Sequence, residues 1–287
     1  MTTLEQQLAW LSAREMVAAL GARHAPALVR RGLELPFAAA SWRLARTLAE
    51  LDRSLEPLGL PAAAGAALQR FGVSLSVHGE APPSGPCLIL ANHPGAYDAL
   101  ALMTAVGRRD LMVLAADRSF LRAQGQLSRH FVFVADDSVG SRAGALKRSL
   151  SLLQRGGALL HFPAGQIEPD ADFEPRRERW LGAWQPGVAS LLAACARAGG
   201  KLVFAGVRGV HSPRTKRLLV NRAAEGSGIT TLSVLLQLVR GLRDVEARVQ
   251  LSSAVSPLGF LALDASERDA ALRAALVSGI AAARSAG

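Results

Sequence analysis

The sequence predicts an α/β protein with a mainly parallel central sheet flanked by helices and an N-terminal helical appendage. Short apolar runs such as Cys87–Ala91 alternate with longer helical patterns such as 141–155. Strands covered on both faces have such continuous apolar runs, and their alternation with helices is typical of a parallel sheet. No alternating strand pattern occurs before residue 71. We therefore expect a helical region over residues 1–70 and an α/β domain over residues 71–287.

The N-terminal region starts with Thr2 and Glu5, whose spacing fits a capping box. An apolar stripe at helical spacing follows at Leu44, Leu48, Leu51 and Leu55. The stripe predicts a helix that packs against the same chain. The alternative is an amphipathic surface that docks on lipid with the help of nearby arginines. These arginines are Arg30, Arg31, Arg43 and Arg46.

From Phe71 onward, the predicted strands and helices follow in order. Residues 73–77 alternate apolar and polar side chains, as in a half-exposed strand. Apolar runs predict further strands at 87–91, 111–116, 131–135, 158–162, 201–207 and near 249–251. Helices are predicted from the turn at 92–95 onward and at 141–155, 187–198, 230–242 and from about 265.

The stretch 92–98 is the main candidate for chemistry, because ligands usually bind at strand ends in open α/β sheets. Asn92 is a favoured N-cap and Pro94 suits a first helical turn, so we expect the strand to pass to a helix within about three residues. His93 would then precede the helix and turn back to Asp98, whose carboxylate would fix the imidazole tautomer. This pair predicts a general base. The alternative is a plain helix start, with Asp98 favouring the helix dipole.

A second turn motif follows the strand that ends near residue 161. Its sequence is Phe162-Pro163-Ala164-Gly165-Gln166-Ile167-Glu168. A Pro-x-Gly turn lets backbone approach a ligand closely, although an ordinary β-to-α turn has the same pattern. Residues 170–179 are dense in both charges and predict a surface loop. Residues 201–223 carry several basic residues and no acid, which fits either a solvated loop or a platform for phosphate or anionic headgroups.

Composition narrows the classes of function. The net charge of +10 and the sequence pI of ≈ 11.1 favour an anionic partner. Cys87 and Cys195 lie in apolar segments, which fits buried thiols better than a disulfide or a metal site. We expect neither a secretory signal nor a membrane span. The sequence lacks nucleotide-binding glycine motifs, a Gly-x-Ser-x-Gly elbow and interleaved aromatic and basic residues, which disfavours nucleotide enzymes, serine hydrolases and nucleic-acid binding.

Together, these motifs resemble those of the PlsC-like glycerolipid acyltransferases, also called lysophospholipid acyltransferases. The first motif of that superfamily, Asn-His-x-x-x-x-Asp after a buried strand, matches Asn92, His93 and Asp98. The third motif, commonly Phe-Pro-Glu-Gly, is Phe-Pro-Ala-Gly here, as in the hemolysin-like acyltransferase branch. Trp184 and Gly187, at the start of a later helix, fit the same branch. The resemblance covers about residues 70–255.

The resemblance implies an O-acyltransferase in phospholipid biosynthesis. His93 would act as general base on an acceptor hydroxyl, with Asp98 orienting it. The donor would be a fatty acyl thioester of coenzyme A or acyl carrier protein, with no metal and no tightly bound cofactor. The acceptor would be a lysolipid or glycerolipid. The residues expected to bind substrate are Asn92, Phe162, Pro163, Ala164, Gly165, Gln166, Glu168, Arg142 and Arg208.

The remaining expectations concern location and acceptor, and they rest on the net charge and on differences from the family motifs. The basic surface implies an anionic membrane partner and a cytoplasmic location, peripheral on the inner face of the cell membrane. Asp136 and Asp137 stand where members acting on glycerol phosphates usually have Arg, and Ala164 replaces the motif Glu. An acceptor without phosphate is therefore a second option. The alternative function is a catalytically decayed acyltransferase fold that acts as a basic peripheral membrane or lipid-binding protein.

Overall fold

The computed structural model describes residues 3–22, 26–95, 97–135, 139–216 and 227–284. The strands in this part of the chain are β1 Val73–His78, β2 Cys87–Ala91, β3 Leu111–Ala116, β4 Phe131–Val134, β5 Ala158–His161, β6 Lys201–Arg208 and β7 Val245–Leu251. The helices are α1 Thr3–Val17, α2 Ala27–Glu34, α3 Ala38–Leu58, α4 Leu60–Phe71, α5 Asp98–Val106, α6 Ser119–Arg122, α7 Val139–Gln154, α8 Val188–Arg197, α9 Pro213–Lys216, α10 Ser227–Arg240, α11 Leu258–Leu261 and α12 Ala265–Ala282.

The strands form a single seven-stranded sheet in the order β1-β7-β6-β2-β5-β3-β4. Neighbouring strands from β6 to β4 are parallel, β7 is antiparallel to β6, and β1 is parallel to β7. The predicted α/β class with a mainly parallel sheet is confirmed. β2 lies at the centre between β5 and β6, and all of its residues are buried, as its apolar sequence predicts.

Alternate side chains of β2 enter two different cores, because successive strand residues point to opposite faces. Ile89 and its neighbours on that face pack with apolar side chains of α1, α3, α4 and α5. Leu88 and Leu90 pack with apolar side chains of α7, α8 and α12. Both faces of the sheet are therefore covered by helices. The two cysteines, Cys87 and Cys195, are buried free thiols, as expected.

The N-terminal region is helical, and its leucine stripe packs within the chain. Leu48, Leu51 and Leu55 of α3 are buried in the core shared with the sheet. The Asp52 carboxylate accepts hydrogen bonds from the backbone N–H groups of Leu127 and its two predecessors, which ties α3 to the loop before β4. The division of the chain at residue 70 stays a prediction. The proposed Thr2 cap lies outside the described residues.

The predicted surface loop at 170–179 is partly wrong. Asp170 and Ala171 at its start are buried. The Asp170 carboxylate accepts hydrogen bonds from the N–H groups of Gly209 and Val210 beyond β6. These partners are distant in sequence, so charge density alone does not reveal the burial. Asp136, Asp137, Arg217 and Arg222 lie outside the described residues. No helix in the described part of the chain is both long and apolar enough to cross a membrane.

Candidate functional site

The candidate site lies at the carboxyl end of β2, where Asn92 extends the pairing with β6. The Asn92 side-chain amide donates to the Val207 carbonyl at 2.8 Å and accepts from the Val207 N–H at 2.7 Å. The prediction that Asn92 caps a helix is therefore wrong, because its side chain imitates a strand backbone instead. Helix α5 begins only at Asp98, later than predicted. Asn92 thereby fixes the point at which the next loop leaves the sheet.

His93 and Asp98 are in direct contact across this loop. The Nδ1 atom of His93 lies 2.7 Å from Oδ2 of Asp98. The same carboxylate oxygen accepts the N–H of Gly95 at 2.8 Å, and Oδ1 accepts the N–H of Ala99 at 2.6 Å. Asp98 is fully buried, whereas the His93 side chain is 28% exposed. The carboxylate thus accepts from Nδ1–H, which leaves Nε2 as the proton-accepting nitrogen of neutral His93.

The surroundings of His93 favour its charged form. Burial lowers its pKa, but the charge of Asp98, the hydrogen bond to Asp98 and the charge of Glu168 outweigh that effect and raise the pKa above its usual 6.5. One face of the imidazole stacks on Phe162, with ring centroids 4.6 Å apart and planes at 29°. The ring is therefore fixed by Asp98 at one nitrogen and by an aromatic face. Such a base accepts a proton readily near neutral pH.

Glu168 holds the backbone of His93. Its Oε2 accepts the His93 N–H at 2.9 Å, and its own N–H donates to the His93 carbonyl at 2.7 Å. Its Oε1 accepts the N–H of Gly182 at 2.7 Å. Burial raises the pKa of Glu168 to about 7, although these hydrogen bonds and the charges of His93 and Arg273 oppose the rise. The carboxylate is 2% exposed, so it positions His93 and lies away from solvent.

The second turn motif joins the first through Phe162 and Glu168. Gly165 has a φ of +63°, which disfavours side-chain-bearing residues, and its N–H donates to the Phe162 carbonyl at 3.0 Å. The Pro163 carbonyl accepts the N–H of Gln185 at 2.8 Å. Ala164 is buried, whereas Gly165 and Gln166 are exposed. Phe162 and Glu168 thus bring the second turn motif into contact with His93.

Arg142 and Arg208, the two arginines predicted to bind substrate, lie outside the cluster around His93. Arg142 is exposed in the first turn of α7. Arg208 donates from Nε to Asp172 at 2.6 Å, and Arg248 pairs with the same carboxylate. Neither arginine is hydrogen-bonded to His93 in the described part of the chain. The side chains that the structure brings together are therefore His93, Asp98, Phe162 and Glu168.

Sequence reasoning missed residues that support the His93 loop from β6. His211 is buried, and its Nε2 donates to the Pro94 carbonyl at 2.7 Å. Gln237 of α10 accepts the Ser212 N–H at 2.6 Å and donates to the Val210 carbonyl at 3.1 Å. One signal pointed to His211: it follows β6, a parallel neighbour of β2, and carboxyl ends of such strands share an edge. No comparable signal marks Gln237.

In the described part of the chain, no group of three or more His, Cys, Asp or Glu side chains is placed to hold a metal ion. The fold and the site define an α/β protein with a His–carboxylate pair at the carboxyl end of a central parallel strand. Such a pair is the arrangement that proton abstraction by a general base requires.

Comparison with known proteins finds a match for the segment that carries both turn motifs. Residues 74–204 match the family model described as Acyltransferase. This match supports the resemblance to acyltransferases over that segment. Among solved structures, the chain is similar to the 1-acyl-sn-glycerophosphate (LPA) acyltransferase PlsC from Thermotoga maritima, with 14% identity, a TM-score of 0.48, and coverage of 99% of this chain and 100% of that one. No curated protein sequence matches.

Proposed function

We propose that the protein transfers a fatty acyl group from an acyl thioester, acyl-CoA or acyl carrier protein, to a hydroxyl of a lysolipid or glycerolipid acceptor. The observation that carries this proposal is the 2.7 Å contact between His93 and Asp98. It lies within the segment that matches the Acyltransferase family. The product would be an ester of the type found in membrane lipids, which assigns the protein to phospholipid biosynthesis.

The proposed reaction needs one proton acceptor and no covalent acyl-enzyme. Nε2 of His93 takes the proton of the acceptor hydroxyl as its oxygen attacks the thioester carbonyl. The tetrahedral intermediate then expels the thiolate, which takes the proton back from the imidazolium. The products are an ester and a free thiol. Asp98 stays ionised throughout and stabilises the imidazolium that forms.

The oxyanion of that intermediate requires hydrogen-bond donors. The Gly165 N–H is engaged with the Phe162 carbonyl in the turn. We therefore assign the oxyanion to the other backbone N–H groups of the same exposed turn, at Ala164 or Gln166, or to a helix N-terminus. The Gln166 side chain is exposed beside this turn and would serve as a further donor.

Arg142 and Arg208 are the two arginines considered for binding a phosphate on the acceptor headgroup. A phosphate bound by Arg208 would have to displace Asp172, which holds that guanidinium at 2.6 Å. Arg142 is exposed on α7. An acceptor without phosphate needs neither. We propose that a phosphate on the acceptor, if present, contacts Arg142 or the basic residues around Arg208.

We further propose a cytoplasmic protein held peripherally on the inner face of the cell membrane. The net charge of +10 suits an anionic lipid surface and an acidic donor carrier. Large apolar side chains are exposed near the N-terminus, among them Leu28 and Leu35 at 84% and 75% exposure, with Arg31 nearby. Exposed apolar groups beside basic ones are characteristic of surfaces that lie in a membrane interface.

Transfer of radiolabelled acyl groups to a panel of lysolipids tests the function. The purified full chain is supplied with acyl-CoA or acyl carrier protein donors, and the products are separated by chain and headgroup. We expect ester formation that His93→Ala abolishes while the circular dichroism spectrum is unchanged. Undiminished transfer by His93→Ala would remove the mechanism. Lipid binding without any transfer by the wild-type chain would favour the decayed lipid-binding alternative.

A further inference from the structure

A cleft lies on the helical side of the sheet, between α3, the end of α4 and the end of α10. Its volume is ≈ 440 Å³, within the range of about 300–1,000 Å³ common for small-ligand sites. Its charged lining consists of Arg43, Arg46, Arg70 and Arg243. Its apolar lining includes Leu44, Phe71, Tyr97, Leu238 and Leu242. Among the described residues, no acidic side chain lines it.

Part of this arginine cluster has a structural role. Arg43 donates to the carbonyls of Leu238 and Val239 at the end of α10, and Arg243 donates to the Arg70 carbonyl at the end of α4. These contacts neutralise two helix ends, each equivalent to about half a negative charge. Arg70 pairs with Glu50. Subtracting Glu50 and both helix ends from the four guanidinium charges still leaves a net charge of about +2 around the cleft.

Unlike the other three arginines that line the cleft, Arg46 has no structural role in the described part of the chain. It is exposed and makes no hydrogen bond or ion pair with any residue in the described ranges. Each engaged guanidinium also keeps N–H donors, because the group has five and each bond here uses one or two. The rim of the cleft therefore has N–H donors that remain available to an anionic group.

The floor of the cleft is apolar and reaches the loop that carries the candidate site. Phe71 and Tyr97 have ring centroids 5.3 Å apart. Tyr97 is buried and hydrogen-bonded to Gln237, the side chain that also anchors residues 210 and 212 after β6. Tyr97 directly precedes Asp98. An occupant of the cleft would thus touch Tyr97, which belongs to the loop between His93 and Asp98.

We propose that this cleft binds one single-chain anionic lipid, with its carboxylate or phosphate head on the arginine rim and its chain over Phe71, Tyr97 and Leu238. A cationic rim above an apolar floor recognises both ends of such a molecule. The site is separate from the proposed acceptor position at His93, and its occupancy does not depend on acyl transfer. Contact with Tyr97 gives a bound lipid direct access to the His93 loop.

Isothermal titration calorimetry on the full chain tests this site, with the lipids kept below their micelle concentration. The probes are oleate, 1-oleoyl lysophosphatidate, uncharged monooleoylglycerol and inorganic phosphate. We expect one equivalent of oleate or lysophosphatidate to bind, and the tighter of the two identifies the head. Arg46→Glu should weaken that binding at least about tenfold, which is the loss expected for a charge-assisted contact. Leu242→Asn, in the apolar wall, should weaken it as well.

Arg53→Glu is the control, because Arg53 also lies exposed on α3 but pairs with Glu5 and does not line the cleft. It should bind lipid as the wild type does. His93→Ala should also bind normally, which separates this site from the proposed chemistry. Equal binding by wild type, Arg46→Glu and Leu242→Asn would overturn the proposal. So would equal affinity for monooleoylglycerol, full competition by inorganic phosphate alone, or no binding of either anionic lipid.

Discussion

Asp98 and Gly95 are joined by the same carboxylate oxygen that holds His93. Oδ2 of Asp98 lies 2.8 Å from the Gly95 nitrogen and 2.7 Å from Nδ1 of His93. The carboxylate therefore fixes the shape of the loop and the orientation of the imidazole together. A change at Asp98 acts on both, whereas a change at His93 acts on one.

Asp98→Asn tests that double role. The amide presents an N–H₂ group or a neutral oxygen to Nδ1, so it favours the wrong tautomer and no longer stabilises the imidazolium. We expect kcat for acyl transfer to fall at least about 100-fold, with KM nearly unchanged. Asp110→Asn is the control, since Asp110 is exposed and pairs with Arg108. Wild-type kcat in Asp98→Asn would show that the contact does not serve catalysis.

Glu168→Gln should change the pH profile of activity. In the wild type, His93 must be neutral to act as a base, and Glu168 must be ionised to accept the N–H groups of His93 and Gly182. Both pKa values are raised, that of Glu168 to about 7, so activity falls steeply as the pH drops through this region. Glu168→Gln removes one of the two titrating groups, so the acid limb of the pH–activity profile becomes shallower. The amide also holds the His93 backbone less firmly, so kcat falls by about tenfold or more. Glu178→Gln, exposed in the same stretch, should match the wild type.

Glu168 also makes stability depend on pH. Its pKa is about 7 in the folded chain against an ordinary value of 4.5, so the folded state holds this proton more tightly. Its stabilising contribution is complete below pH 4.5 and is lost as the pH rises through 7, by about 3 kcal/mol in all. Urea unfolding of wild type and Glu168→Gln at several pH values between 4.5 and 8 checks this. Parallel curves for the two proteins would contradict the assignment.

Asn92→Ala should destabilise the fold. The change leaves the N–H and C=O of Val207 without their hydrogen-bond partners in a buried position. We expect a loss of about 3 kcal/mol in the free energy of unfolding, since each unsatisfied group costs about 1–3 kcal/mol. Asn92→Asp should cost more, because its carboxylate would face the Val207 carbonyl. An unchanged urea midpoint for both variants would show that this pairing contributes nothing.

Gly95→Ala should impair activity more than stability. A Cβ atom at this position would lie 3.0 Å from Nε2 of His211, which is buried and bonded to Pro94. The ring or the loop must therefore shift, and small shifts of a catalytic group are costly. We expect kcat to fall at least about tenfold while the thermal midpoint changes by a few degrees at most. Gly259→Ala, where a Cβ would meet open space, should leave both at wild-type values.

Local sequence patterns predicted much of the fold. The apolar run at 87–91 predicted a buried strand, and β2 is buried throughout. The leucine stripe of α3 predicted a helix packed within the chain, and its members lie in the core. In both cases the spacing of apolar side chains within one segment predicts the element and the face that is buried. The 92–98 stretch likewise brought His93 and Asp98 together, as its turn residues suggested.

The remaining features depend on partners distant in the chain. Asn92 looked like a helix cap, yet it bonds to Val207, which only the β2–β6 pairing brings near. Asp170 looked solvent-exposed, yet it accepts N–H groups at the end of the same strand. Gln237 joins Val210 and Ser212 from α10. Polar residues of this kind satisfy buried backbone groups, and one sequence does not reveal which groups those will be.

The pairing of β1 with β7 bears on how the chain acquires its structure. Val73 lies opposite Val245, so the first strand of the sheet acquires its neighbour only from the last strand. Such long-range closure slows folding, because an extended loop must be ordered before the contact stabilises anything. During synthesis, β1 would lack its partner strand until residues 245–251 have left the ribosome. We expect nascent chains that stop before Val245 to present an open sheet edge and to engage chaperones.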